Sequence, residues 1–330
     1  MNQALLTRLF KTIEGNQNTP LMKIAFSIVE EERKKGHAHL ADKLESILRQ
    51  NLSIESDQTL RPIKVKDFKL PVDRRYRLPL ANHIPHEQLR HHMILDTVVE
   101  EKIERIEKEF LAGERLAHHG LKPRRKMLFY GASGCGKSMA AERIAWDLGL
   151  SFYKVRFDSI ISSYLGESAA NLQKLFDSIE DYPCVLLLDE FDIIGKQRES
   201  RSNDVGEIHR IVNILLGLLE EYSGKGLLIA TTNLEGSLDK ALFRRFDEFI
   251  EFPKPSAFEI QKILQQSFSS LHVSNEVDLG ALSRKMDGLS YAIVEKIAHD
   301  AAKKAIIYGH KEISHKDIEQ SLNENRFLNA

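Results

Sequence analysis

The chain has 330 residues, enough for roughly one to three domains and a well-buried core. Its 47 Lys and Arg stand against 48 Asp and Glu, a net charge of -1 that gives no long-range field to draw in nucleic acid or an anionic membrane. No apolar run approaches the roughly 20 residues needed to cross a bilayer, the first residues lack the pattern of a secretory signal, and the two cysteines, Cys135 and Cys184, make no disulfide framework, so a cytoplasmic, reducing setting is expected.

Residues 4–13 and 20–35 carry apolar positions at helical spacing, and HLADKLESILRQ repeats the pattern with Leu40, Leu44, Ile47 and Leu48. Three short amphipathic helices can bury their stripes together, so residues 1–50 read as a small helical domain. From about 51 to 85 basic and apolar residues alternate, and Pro62, Pro71, Pro79 and Pro85 forbid a long helix. This stretch reads as an extended linker with a short strand around Ile63–Phe68.

Helical spacing returns from Glu87 to His119, with Gly120 as its stop. KMLFY, SFYKV, VLLLD, LLIAT and FIEF then alternate with helical patterns such as VGEIHRIVNILLGLLEEY. These strands are short, apolar and rich in branched or aromatic residues, the mark of a parallel sheet covered on both faces. The fold class is therefore α/β, with a nucleotide-binding type of αβα domain over 86–253. Pro253 and Pro255 close it, and helices at about 256–272, 278–286, 290–309 and 314–322 form a second, all-helical unit over 254–330.

The strongest motif is GASGCGKS, comprising Gly131, Ala132, Ser133, Gly134, Cys135, Gly136, Lys137 and Ser138. It stands directly after the strand MLFY and before a helix that opens at Met139. In that context the backbone N–H groups of the loop and the helix N-terminus face phosphates. Lys137 spans the β and γ phosphates and Ser138 completes a Mg²⁺ shell, so ATP and Mg²⁺ are the expected ligands. A bare strand-to-helix turn explains the glycines less well, because both flanks are right.

The second motif is CVLLLDE, in which two acids emerge at the carboxyl edge of a buried strand. There Asp189 would hold the metal through water and Glu190 would orient and polarise the attacking water. By itself the segment could be a strand ending in solvated acids; its place after the phosphate loop favours the catalytic reading.

Over residues 120–325 these motifs, with those that follow them, resemble in their order the AAA ATPases, within the branch of protein unfoldases and of severing and disassembly enzymes. The resemblance implies a sheet order of 5-1-4-3-2 and makes the C-terminal helices a lid. It assigns Asn233, after LLIATT, as a polar sensor of the γ phosphate or attacking water, against the plainer role of a turn residue at a strand end. Arg244 and Arg245, in ALFRRFDEF, are similar to the paired fingers that reach a neighbouring subunit's nucleotide, although one of them could form an internal ion pair. Tyr164, Leu165 and Gly166 are similar to the pore loop that grips an extended polypeptide, against simple packing on a neighbouring domain.

In the lid, Gly288 and Ala292 fall where small residues contact adenine and no arginine sensor stands. Ala132, Ser133 and Cys135 depart from the prolines and threonine more usual in relatives, without removing the essential charge. The resemblance implies a ring, usually a homo-hexamer, acting on a protein client or effector. A nucleotide-switched scaffold and a DNA-associated ATPase are the alternatives.

The remaining candidates are weaker. His91/His92 and His118/His119 are sequence neighbours that do not share a helix face, and no Cys/His ligand spacing accompanies them. The basic run KPRRK, Lys122 to Lys126, lacks the aromatic pattern of a base-stacking surface, so no specific nucleic-acid binding is expected.

Overall fold

The computed structural model describes residues 70–73, 77–157, 160, 167–191, 205–233, 244–269, 271–310 and 312–325, with isolated positions between 28 and 44. The chain divides into two compact units, Met1–Lys69 and Leu70–Ala330. In the first, Val29, Ala41 and Leu44 are helical and buried, as expected of an apolar helix stripe. The strand expected around Ile63–Phe68 lies outside the described residues.

The second unit is built on a six-stranded sheet. Its strands are β1 (Ala81–Ile84), β2 (Lys126–Tyr130), β3 (Ser151–Val155), β4 (Cys184–Leu188), β5 (Leu227–Thr232) and β6 (Glu248–Glu251), in the order β1-β3-β4-β5-β2-β6. The pairs β3–β4, β4–β5, β5–β2 and β2–β6 are parallel. Every residue of β4 and β5 is buried, which is why these segments read as unbroken apolar runs. The five strands expected from the sequence thus lie in the order 5-1-4-3-2.

The sixth, β1, was not expected: it comes from the proline-bounded stretch read as linker and pairs antiparallel with β3, Ala81 opposite Val155. Pro79 and Pro85 flank it, a position prolines tolerate at a sheet edge.

The continuous helix expected over 87–119 is interrupted. A single 3-10 turn occupies His86–Gln88, the chain then runs without helix to Asp96, and α1 (Thr97–Leu111) and α2 (Gly113–His118) follow. Tertiary contacts override the helical spacing. Leu89 is buried, the Arg90 N–H donates to Glu142 at 3.0 Å, and the His91 ring stacks on Trp146 at 3.9 Å. Asp96 then caps α1 by accepting from the Val98 N–H at 2.8 Å.

Helices α3 (Lys137–Asp147), α4 (Glu167–Glu180) and α5 (Val205–Glu221) connect the parallel strands. Val99, Ile103 and Ile106 of α1 join Met127, Phe129, Ile144 and Ile250 in one apolar core. Three cations of the KPRRK run are used internally, while Lys122 is exposed. Arg124 pairs with Glu109 and Glu248, Arg125 lies over the Phe110 ring at 5.3 Å, and Lys126 Nζ donates to the Leu219 carbonyl at 3.1 Å.

The C-terminal helices α6 (Ala257–Ser267), α7 (Leu279–Lys285), α8 (Tyr291–Ile307) and α9 (His315–Asn325) lie within a few residues of the expected spans. They enclose a second core of Ile260, Leu264, Leu282, Val294, Ile297 and Ile318.

Candidate active site

The loop 131–136 joins β2 to α3 and crosses the carboxyl edge of the sheet. Two of its glycines are sterically obligatory. At Gly131 (φ 133°) a Cβ would stand 2.4 Å from the Phe252 carbonyl oxygen; at Gly134 (φ 75°) it would meet the Ser290 hydroxyl at 2.8 Å. The start of α8 therefore rests on the loop, and the Ala292 N–H donates to the Gly134 carbonyl at 3.1 Å.

Lys137, the first residue of α3, is buried. Its ammonium folds back to donate to the carbonyls of Gly131 (2.7 Å) and Ala132 (2.8 Å) and to Asn233 Oδ1 (2.8 Å). Asn233 directly follows β5, so two adjacent strand ends converge on one cation.

Asp189 follows β4. Its Oδ1 accepts from the Ser138 and Thr231 hydroxyls, each at 2.6 Å, and its Oδ2 from Lys154 Nζ at 2.5 Å. Burial works to raise this carboxyl, but the three donors together outweigh it and hold the group below its ordinary value, ionised. Glu190 is exposed in the left-handed region, with φ 53°. Its N–H donates to Thr231 Oγ1 at 3.0 Å, so one buried hydroxyl ties both acidic residues to β5.

These groups line a cleft of about 340 Å³ that Ser133, Gly134, Gly136, Met139 and Ala292 also border. Beside it lies a cavity of about 100 Å³ walled by Met93, Ile94, Cys135, Met139, Ile263 and Tyr291, with Met139 and Tyr291 common to both spaces. A polar cleft beside a smaller cavity of mixed apolar and polar lining offers room for the two ends of a nucleotide.

Other expected residues lie elsewhere. Gly288, at φ 83°, occupies the turn before α8 and lines neither space. Arg245 donates to Glu220 at 2.9 Å and Arg244 is exposed; neither borders the cleft. Tyr164, Leu165 and Gly166 lie outside the described residues. Among the described residues no group of three or more His, Cys, Asp and Glu is placed to hold a metal ion.

Five residues of the cleft were not among the expected site residues, Glu295 of α8 being one that borders both spaces. Thr231 and Lys154 had a visible signal, a polar side chain inside an apolar strand pattern. Tyr291 had a weaker one in its neighbour Ala292. Arg90, which lines the cleft and grips the buried Glu142 through its Nε at 3.0 Å, had none.

The profile of the ATPase family associated with various cellular activities (AAA) matches residues 127–254. An uncharacterized AAA family ATPase of Sinorhizobium fredii is 36% identical over 301 residues, covering 91% of this chain and 89% of the relative. The chain belongs to the AAA ATPase family. It binds ATP and is an ATPase, as its family and its ATPase relatives indicate. Proteasome-activating nucleotidase 2 of Haloferax volcanii is 31% identical over 231 residues, 68% of this chain and 56% of that protein. A 26S proteasome regulatory subunit of Arabidopsis thaliana is 32% identical over 226 residues, 67% of this chain and 57% of that protein. Among the described residues no helix of this AAA ATPase is long and apolar enough to cross a membrane.

Proposed function

We propose that this AAA ATPase uses Mg²⁺-dependent ATP hydrolysis in the cleft to thread or remodel protein as a ring, a homo-hexamer in the cytoplasm. The observation that carries the reading is the convergence of Lys137, Ser138, Asp189, Glu190 and Asn233 in one space through hydrogen bonds of 2.6 to 3.0 Å.

The loop N–H groups and Lys137 take the phosphates, and the adenine enters the smaller cavity against Met139, Tyr291 and Ile263. Ser138 and Asp189 are hard oxygen donors 2.6 Å apart, a pair suited to Mg²⁺, which would supply charge neutralisation on the phosphates. Glu190 orients the attacking water in line with the bond to be broken, and Asn233 helps to hold that water or read the γ phosphate. With Arg245 bound to Glu220, the exposed Arg244 is the arginine offered to a neighbouring subunit's phosphates.

Coupling to movement follows from the Gly134–Ala292 hydrogen bond. A change at the phosphate loop is transmitted to α8, the lid and the neighbouring subunit, and thence to Tyr164, Leu165 and Gly166 as the client-gripping loop. Residues 1–50 would select the client. The internal use of Arg124, Arg125 and Lys126 weighs against a DNA-associated reading.

The test is Tyr164→Ala. It should remove stimulation of ATP turnover by bound protein and stop remodelling, measured with a client captured on ATP-loaded Glu190→Gln assemblies. A client remodelled equally well by Tyr164→Ala and wild type would refute the grip.

A further inference from the structure

Lys154 stands on β3 opposite Leu187 of β4, the strand that Asp189 follows, with β4 and β5 between it and the strand that leads into the phosphate loop. It is the only charged residue in the strand SFYKV. Its ammonium lies 2.5 Å from Asp189 Oδ2, while both hydroxyls on that carboxylate go to Oδ1. Every oxygen of the carboxylate assigned to Mg²⁺ is therefore met by a protein donor, and one donor carries a full positive charge.

The two partners differ in freedom. The Lys154 side chain is 44% exposed and lines the phosphate cleft, whereas Asp189 is 13% exposed and pinned by its two hydroxyls. The lysine can leave the pair into water or toward phosphate; the carboxylate cannot follow. Lys137 points elsewhere, its ammonium donating to Gly131, Ala132 and Asn233.

We propose that Lys154 is a built-in counter-cation that stands in for the metal at Asp189. With the metal absent it neutralises the carboxylate, so nucleotide phosphates enter without facing a bare negative charge. Metal loading displaces its ammonium into the solvent that the part-exposed side chain already reaches. Lys154 is thus a positioning residue that sets how steeply nucleotide binding depends on Mg²⁺. This rests on the assignment of Asp189 to the metal.

The experiment compares binding of a fluorescent ADP analogue to wild type and Lys154→Met in EDTA and in excess Mg²⁺. Removing the lysine leaves the Asp189 carboxylate unneutralised a few ångströms from the phosphates, which should weaken the EDTA affinity about tenfold. The affinity in Mg²⁺ should be kept or tightened, so the ratio of the two dissociation constants rises about tenfold or more. Lys154→Arg should restore the wild-type ratio. In an Asp189→Asn background, Lys154→Met should no longer weaken binding in EDTA, as a double-mutant cycle requires. Lys154→Gln repeats the test should the methionine variant fail to fold. An unchanged ratio in folded Lys154→Met overturns the proposal. Undiminished Mg²⁺ affinity in Asp189→Asn alone would instead overturn the metal assignment beneath it.

Discussion

Replacing Thr231 by valine preserves shape while deleting the one hydroxyl that touches both acids. Thr231 is 2% exposed, donates to Asp189 Oδ1 at 2.6 Å and accepts from the Glu190 N–H at 3.0 Å. The bond to the carboxylate is charge-assisted, worth about 1.5–3 kcal/mol, and the bond from the N–H about 1 kcal/mol. The valine methyl returns part of this, so a net loss of about 2–3 kcal/mol of folding stability is expected.

Glu190 pays more heavily in function. It is held at φ 53°, a conformation costing about 1–2 kcal/mol in a residue with a side chain, and the Thr231 bond helps keep it there. Freed, its backbone relaxes and the carboxylate leaves the water it should orient. A displacement near 1 Å lowers turnover by up to about 100-fold. Nucleotide affinity should stay within about threefold, because Lys137 and the phosphate loop are untouched. Urea unfolding without nucleotide, steady-state phosphate release and fluorescent-nucleotide binding measure the three quantities. Thr231→Ser should recover most of the loss. A Thr231→Val protein with wild-type turnover would refute the tether.

Three further predictions concern charge. Glu107 on α1 has a buried Oε1 without a hydrogen-bond partner among the described residues; burial, then Asp147, Glu100 and Glu104 against Arg143, push its carboxyl up to about 7. The folded protein keeps a proton there that the unfolded chain releases, so stability is full below the ordinary carboxylate range and falls as pH rises through about 7. After discounting for solvent screening, Glu107→Gln should gain about 1–2 kcal/mol over wild type at pH 8 and little at pH 4. Parallel unfolding curves across that range would contradict it. Arg244→Ala should regain ATP turnover when mixed with Lys137→Ala, since an intact loop can then sit beside an intact arginine; no recovery in demonstrably mixed assemblies would exclude action in trans. Arg245→Ala should chiefly lower the unfolding temperature through loss of the Glu220 pair.

The legible parts of this fold are those with local causes. KMLFY, VLLLD and LLIAT announce buried strands by composition, GASGCGKS announces its loop through glycines that only a close backbone approach requires, and the lid helices announce themselves by period. What escaped depends on contacts between distant segments. Residues 89–96 have helical spacing, yet Glu142 and Trp146 of α3 hold them in another conformation. β1 is too short to show alternation and exists because β3 offers an edge. At the site, the acids and the lysine were found by motif. Thr231 and Lys154 were passed over as strand residues because their meaning lies in the atom opposite, Asp189, which no spacing along the chain reveals.

Turnover in this cleft should change the structure of a bound protein. A client captured on ATP-loaded Glu190→Gln, which should bind nucleotide yet fail to hydrolyse it, can be labelled and its unfolding followed with wild-type enzyme and ATP. ATP-dependent loss of client structure with wild type, and none with Glu190→Gln, is the predicted result. A client that binds wild type and keeps its structure through sustained ATP hydrolysis would contradict the account and leave a nucleotide-switched scaffold.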